Sequence, residues 1–373
     1  MSHPSRSALI DCFKGLACAA IVWHHLAYYG PLSEQLARGL PQLSQLLVEY
    51  ARMAVQVFLV LGGFLAAASL SPRADRPLDA SWAHLAERIG QRFMRLVVPY
   101  AAALALVVSV SAAVRPWFDD PAVSPAPDLA QLLAHAFLLH GVLGEESLSA
   151  GVWYVAIDFQ LFGLSALLFA LAAWLGCGLR VLQALIALLT AASLLFFNLD
   201  TGWDVWAVYF FGAYGLGMLA YWCVRAPRPL HAWLGGALIV ALVLAALALQ
   251  WRPRIALAGA MALTLVPALR VQWSARWQGW APLVRLGQIS YSVFLIHFAL
   301  CLLVNAVVGQ WWPDSFAVGG VALLAAFALS ILAGHLLYEY VERHVPSWRS
   351  AQRWKAGMVG VGLLGAYVAA DVG

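Results

Sequence analysis

IDCFKGLACAAIVWHHLAYYG, Ile10 to Gly30, is apolar and long enough to cross roughly 30 Å of hydrocarbon, yet it contains Asp11, Lys14 and the pair His24-His25. Ionisable groups are costly at that depth, so their arrangement on the helix matters. At about 100° per residue, Lys14 and His25 differ by three turns plus about 20° and therefore share one face. Asp11 lies within about 40° of that face, whereas His24 points about 80° away from Lys14. A rise of 1.5 Å per residue separates Lys14 from His25 by roughly 16 Å, so a polar stripe runs through most of the span. Two readings of the stripe stand. In one, Lys14 snorkels to the interface beside Asp11 and the histidines hydrogen-bond in the core. In the other, the three groups serve a site within the membrane.

The remainder of the chain has the same character. Of its 373 residues, 63% are hydrophobic and 11% charged, with a mean hydropathy of +0.80, too little polar surface to cover a soluble globule of this size. Repeated apolar windows predict an all-α, polytopic membrane bundle of ten helices, near 8–29, 48–70, 93–114, 150–176, 179–197, 203–223, 229–250, 254–270, 285–308 and 315–341. The first segment reads as a retained helix, because Lys14 interrupts its apolar run and no small-residue cleavage site follows. Gln131 to Leu143 is too short to cross and belongs to an outer loop, while Ala356 to Ala370 reads as an eleventh helix, an interfacial segment or a loose tail. Of the 22 Lys and Arg residues, only five fall outside when both termini are cytoplasmic, which satisfies the positive-inside rule. Two of the five, Arg252 and Arg254 in WRPR, are the weak point of that assignment. The small net charge of +4 is thereby explained by topology, and no nucleic-acid partner is expected. Five scattered cysteines without a CxxC pattern make neither a disulfide framework nor a zinc site, and no metal is expected.

Other polar residues stand out against this background. In ERIGQRFMRLVVPY, Arg88, Arg92 and Arg95 recur at i, i+4 and i+7, forming a cationic ridge suited to phosphate or to anionic headgroups. In GVWYVAIDFQLFGL, Asp158 is deep enough to need a partner on another helix, and His25 is a candidate by depth. His297 in ISYSVFLIHFAL lies near mid-membrane, and in LLYEYVERHVP, which carries Glu339, Glu342 and Arg343, Glu342 and Arg343 suggest a local ion-pair network rather than a catalytic pair.

Taken in order, these segments resemble the acyltransferase-3 family of integral membrane acyltransferases, which act on cell-envelope and exported carbohydrates. Lys14 and His25, with ten residues between them, are similar to that family's Arg/Lys-x10-His signature, and Arg92-Phe93-Met94-Arg95 is similar to its RxxR motif. VFLVLGGFL, WYVAIDFQLF, LGQISYSVFLIHF and YEYVERHV resemble four further family segments, with Gly62 in place of the usual Ser, Asp158 in place of Glu, and His344 where Pro is common. The resemblance covers residues 10 to about 345, so 1–345 is expected to be the acyltransferase-like membrane domain and 346–373 a basic cytoplasmic tail.

The resemblance implies a multi-pass protein of the plasma membrane, in bacteria the inner membrane. It also implies a cytoplasmic acyl-CoA donor, acetyl-CoA or another short acyl-CoA, and a carbohydrate or lipid-linked glycan acceptor presenting its hydroxyl outside. Arg92 and Arg95, with Arg88 beside them, would then hold the phosphates of coenzyme A, and the pantetheine arm would pass Lys14 toward His25. His25 would act as general base, or carry the acyl group in a two-step relay, and Asp158 would orient its imidazole. A different function remains open, a transporter or exporter whose pathway is the Lys14, His25 and Asp158 stripe, although the chain has no internal repeat of the kind transporters often show.

Overall fold

A computed structural model describes residues 7–72, 81–270 and 279–372; Arg73 and Arg76, at the start of the expected inner basic loop, lie outside the described residues. The described residues are helical, with no strands. The helices are α1 Ala8–Tyr28, α2 Pro31–Gly39, α3 Pro41–Glu49, α4 Val55–Leu70, α5 Trp82–Val114, α6 Leu129–Ala136, α7 His140–Leu143 and α8 Val152–Trp174. They continue as α9 Leu179–Leu195, α10 Ala207–Arg225, α11 Pro229–Leu249, α12 Pro253–Arg270, α13 Ala281–Gln288, α14 Ser290–Trp311, α15 Phe316–Leu337 and α16 Trp348–Val372. Nine helical segments among the described residues are long and apolar enough to cross a membrane. The chain is therefore an integral, multi-pass membrane bundle. The stretch expected as a further span, 254–270, is α12, which carries an arginine near each end.

Both ends of α12 are tied down by those arginines. Arg270 donates to the carbonyls of Cys223 and Ala226 at 3.0 and 2.9 Å, closing the end of α10. Arg252, just before α12, donates to Asn198 Oδ1 at 2.7 Å and to the carbonyls of Leu194 and Ala246 at 2.8 and 3.1 Å. Arg254 reaches the Tyr209 hydroxyl at 2.8 Å. The last carbonyls of a helix have no partner within it. The arginines of WRPR thus satisfy the ends of α9 and α11, which accounts for their departure from the charge rule.

The chain divides into two compact units. One comprises Met1–Phe13, Val55–Phe93 and Ile157–Ala281. Its centre is α10, which meets α4 through a glycine on each helix: a Cβ at Gly217 of α10 would strike the Val60 carbonyl, and one at Gly63 of α4 the Tyr214 carbonyl. Small residues of this kind are how membrane helices approach without a hydrophobic driving force.

The other comprises Lys14–Ala54, Met94–Ala156 and Pro282–Gly373. Here α14 is buried from Ser290 to Val308 with few exceptions, and α15 lies so close that a Cβ at Gly334 would strike Val293. On α1, Gly15 meets the Leu283 carbonyl of α13, and Trp23 stacks on Phe327 of α15 with centroids 5.1 Å apart. Gly30, with φ of 75°, turns the chain from α1 into α2, and Asn305 Oδ1 accepts the Leu32 amide at 3.0 Å. The segment left open above, Ala356 to Ala370, lies within α16, which packs on α6: Lys355 Nζ lies 4.2 Å from the Phe137 ring centre and Gly362 abuts Leu132.

Candidate active site

His25 comes from the last third of α1 and is 8% exposed. Its Nδ1 lies 2.6 Å from Nε2 of His297 on α14, and the two rings are within 5° of parallel. The other nitrogen of His297, Nδ1, lies 2.7 Å from the carbonyl of Phe294. A carbonyl only accepts, so His297 Nδ1 carries hydrogen, and in the neutral ring Nε2 is then a bare acceptor. It follows that His25 donates from Nδ1 and keeps its free lone pair on Nε2. One chain of hydrogen bonds thus selects the tautomer of His25 in which Nε2 can take a proton.

His24 is turned elsewhere, as the helical geometry predicts. Its Nδ1 donates to the Leu47 carbonyl at 3.1 Å, fixing α1 against α3. Lys14 is half-buried, one residue before the close contact of Gly15 with α13. Gly151, with φ of 82°, closes the other side of His25: a Cβ there would lie 3.6 Å from His25 Cε1 and 3.0 Å from Phe294 Cζ.

Asp158, on α8, is 6% exposed and has the partner on another helix that its burial requires. That partner is Arg92 of α5, in a direct ion pair whose guanidinium also stands 5.4 Å from the centre of the Phe162 ring. Gly62 of α4 faces the same carboxylate, with the position of a Cβ 3.7 Å from Asp158 Oδ1. A serine in that place would bring a hydroxyl within reach of the carboxylate. Arg88 donates to the Ser69 carbonyl at 3.0 Å, near the end of α4. Arg95 is exposed and makes no hydrogen bond or ion pair with other described residues. The three arginines of the ridge are therefore not equivalent.

At the far end of α15 the chain forms a π-helical turn, Tyr338–Glu342. Glu339 pairs with Arg285 at 2.8 Å and with Arg343, so Arg343 takes the carboxylate one turn earlier on its own helix rather than the expected partner Glu342. Glu342 accepts from the Ser292 hydroxyl at 2.6 Å, one and a half turns before His297.

The acyltransferase domain model matches residues 8–370, nearly the whole chain. The chain belongs to the acyltransferase 3 family. Membership makes it a membrane-bound acyltransferase, with an acyl donor and an acceptor, and it disfavours the transport alternative. Among curated proteins and among solved structures, no match is found. In this acyltransferase 3 protein the histidine expected to carry chemistry is paired with a second histidine 272 positions away. His297 stands out in the sequence by its depth, but its bond to His25 has no local signal.

Proposed function

We propose that the protein is a membrane O-acyltransferase that moves a short acyl group, acetyl being the simplest, from cytoplasmic acyl-CoA to a hydroxyl of a carbohydrate or lipid-linked glycan. The observation that carries this reading is the chain from His25 Nδ1 through His297 to the Phe294 carbonyl, which leaves His25 Nε2 as the base. The acceptor hydroxyl gives its proton to Nε2 as its oxygen attacks the thioester carbonyl. The carbon–oxygen bond forms, the carbon–sulfur bond breaks, and the coenzyme A thiolate takes the proton from His25. During the step the imidazolium keeps its Nδ1 bond to His297, so charge develops on a ring that is already oriented. This assigns to His297 the orienting role that depth alone suggested for Asp158.

Arg95, exposed on α5, is the proposed contact for the donor's phosphates, because its planar fork is not engaged by other described residues. Arg92 and Asp158 hold one another and give that part of the bundle its shape. Lys14, on the face of His25, guides the donor along the stripe. The orientation that puts acyl-CoA inside and the acceptor outside follows from the positive-inside rule and corresponds to a plasma membrane enzyme.

Purified protein incubated with radiolabelled acetyl-CoA and membrane glycolipid extract tests the reading. Label is expected in glycolipid with wild type and not with His25→Ala. Label in no acceptor fraction, with a well-folded wild-type protein, would contradict it.

A further inference from the structure

Within the second unit, α5 and α14 serve as rulers of depth. Near one end, the Tyr291 hydroxyl of α14 donates to the Leu96 carbonyl of α5 at 2.9 Å. Near the other, Ala306 of α14 is buried in a cluster with Val114 and Phe118. Tyr291 and Ala306 are 15 positions apart, Leu96 and Val114 18, so the two helices run side by side in one direction for about 22–27 Å. Both belong to segments long and apolar enough to cross a membrane. The Tyr291–Leu96 contact therefore marks one side of the bundle and the Ala306–Val114 contact the other.

The last helix, α16, reaches from the first mark to the second. The Glu342 carboxylate accepts from Ser292, the neighbour of Tyr291, and five residues separate Glu342 from Trp348, where α16 begins. At the far end, a Cβ at Gly365 would lie 3.2 Å from that of Ala112, two residues before Val114. From Trp348 to Gly365 α16 rises about 25 Å, and α5 covers about 24 Å from Leu96 to Ala112. Its 25 residues measure about 37 Å in all, against roughly 30 Å of hydrocarbon.

Charge follows the same direction. Arg349, Arg353 and Lys355 fall in the first eight residues of α16, and no charged residue follows from Ala356 to Ala370. Lys355, the deepest of the three, is buried with its Nζ 4.2 Å from the centre of the Phe137 ring, so an aromatic face rather than lipid meets the ammonium. Leu363, Leu364 and Tyr367 are exposed, an apolar side suited to acyl chains.

Beside α16, α6 runs the opposite way. Leu132 abuts Gly362 and Phe137 meets Lys355, seven positions earlier on α16, so α6 enters the bundle from the Ala306 side. The chain then turns back. Gln131 Nε2 donates to the Glu146 carbonyl at 2.9 Å, and the Ser124 hydroxyl donates to that of Leu148 at 3.3 Å. At the tip, in HAFLLH from His135 to His140, Leu138 is buried with φ of 59°. Non-helical backbone is tolerated at membrane depth only where protein covers it.

We infer that α16 is a further transmembrane helix, inserted with its basic end inside, and that it covers one side of a re-entrant hairpin made by α6 and α7. The basic end is the one the positive-inside rule retains in the cytoplasm. The stretch 346–373, expected as a cytoplasmic tail, then brings its Val372 end to the outer side, and Gln131 to Leu143, expected as an outer loop, dips into the bundle. The acyltransferase domain match runs to residue 370 and so takes in this helix. Neither placement depends on the transfer chemistry.

Single cysteines introduced by Ser347→Cys, by Gly360→Cys, or in a short extension after Gly373, in the full chain freed of its native cysteines, test the crossing. Membrane-impermeant maleimide is applied to right-side-out and to inverted vesicles. The cysteine at 347 should label from the cytoplasmic side and the one in the extension from the outer side. The cysteine at 360 should stay unlabelled in both preparations and react only after denaturation in detergent. Labelling of 347 and the extension from one side, or of 360 in intact vesicles, would overturn the crossing. The hairpin is tested by the pair Leu132→Cys and Gly362→Cys, which copper phenanthroline should join into a disulfide in the membrane. Failure of that pair to join would overturn the cover of α6 by α16.

Discussion

The Nδ1 of His25 and the Nε2 of His297 are 2.6 Å apart, and because His297 is anchored through its other nitrogen to the Phe294 carbonyl, His25 has only one nitrogen left for chemistry. Two histidines on separate helices therefore do different jobs. One exchanges the proton, and the other sets which atom can do so.

That division predicts the behaviour of His297 variants. His297→Ala should lower kcat about 10²-fold or more, since losing the tautomer-selecting partner of a catalytic histidine is as costly in the serine protease triad, about 10⁴-fold. His297→Gln, whose amide oxygen can accept from His25 Nδ1, should recover part of the loss. The KM for acyl-CoA should stay unchanged in both. Steady-state kinetics with labelled acetyl-CoA separates these outcomes, and equal activity of His297→Ala and wild type would contradict the assignment.

Arg92 and Arg95 should respond in different ways. Arg92→Gln leaves the Asp158 carboxylate buried without its cation, at a cost on the order of 3 kcal/mol, the lower end for a broken buried pair because Arg92 is 34% exposed. Less folded protein should reach the membrane. Arg95→Gln should accumulate normally and show a raised KM for acyl-CoA. Fluorescence-detected size-exclusion of each variant, alongside donor titration, distinguishes the two. A normal donor KM in Arg95→Gln would remove Arg95 from the donor site.

Much of this was legible in the sequence, and the division has a physical reason. Spans follow from hydropathy, because lipid demands about 20 apolar residues wherever the chain crosses. The separation of His25 from His24 follows from helical periodicity alone, and His24 does bond to Leu47 as its direction requires. Partners across helices are another matter. An i, i+4, i+7 arginine ridge looks the same in sequence whether a guanidinium faces solvent, as Arg95 does, or a buried carboxylate, as Arg92 does. His297 could be recognised as deep, but its bond to His25 depends on the packing of α1 on α14. Nor does anything in HAFLLH announce the left-handed backbone at Leu138.

Arg252 should prove structural. It holds the ends of α9 and α11 through Asn198, Leu194 and Ala246, and hydrogen bonds from a charged donor are worth about 1.5–3 kcal/mol each. Arg252→Gln should lower the thermal unfolding temperature in detergent while leaving the donor KM of the folded fraction unaltered. An unchanged unfolding temperature would show that the clamp contributes nothing.

Topology can be checked without any substrate. Single cysteines placed at Pro125 and at Trp354, in a background free of native cysteines, should react with membrane-impermeant maleimide from opposite sides. Charge asymmetry motivates the expectation. Opposite sides require seven crossings between the two positions, the six candidate spans that follow Pro125 together with α12; labelling of both from one side would mean that α12 does not cross.

The most direct test of the central claim compares His25→Ala with His24→Ala, each matched for expression and folding, in transfer of label from acetyl-CoA to glycolipid. Loss of the base should slow His25→Ala by about 10²–10⁴-fold, the usual worth of positioned acid–base catalysis, while His24→Ala, which loses only the bond to Leu47, should remain within a few-fold of wild type. A His25→Ala protein that is well folded and transfers label at the wild-type rate would contradict the assignment and return the stripe in IDCFKGLACAAIVWHHLAYYG to a structural role.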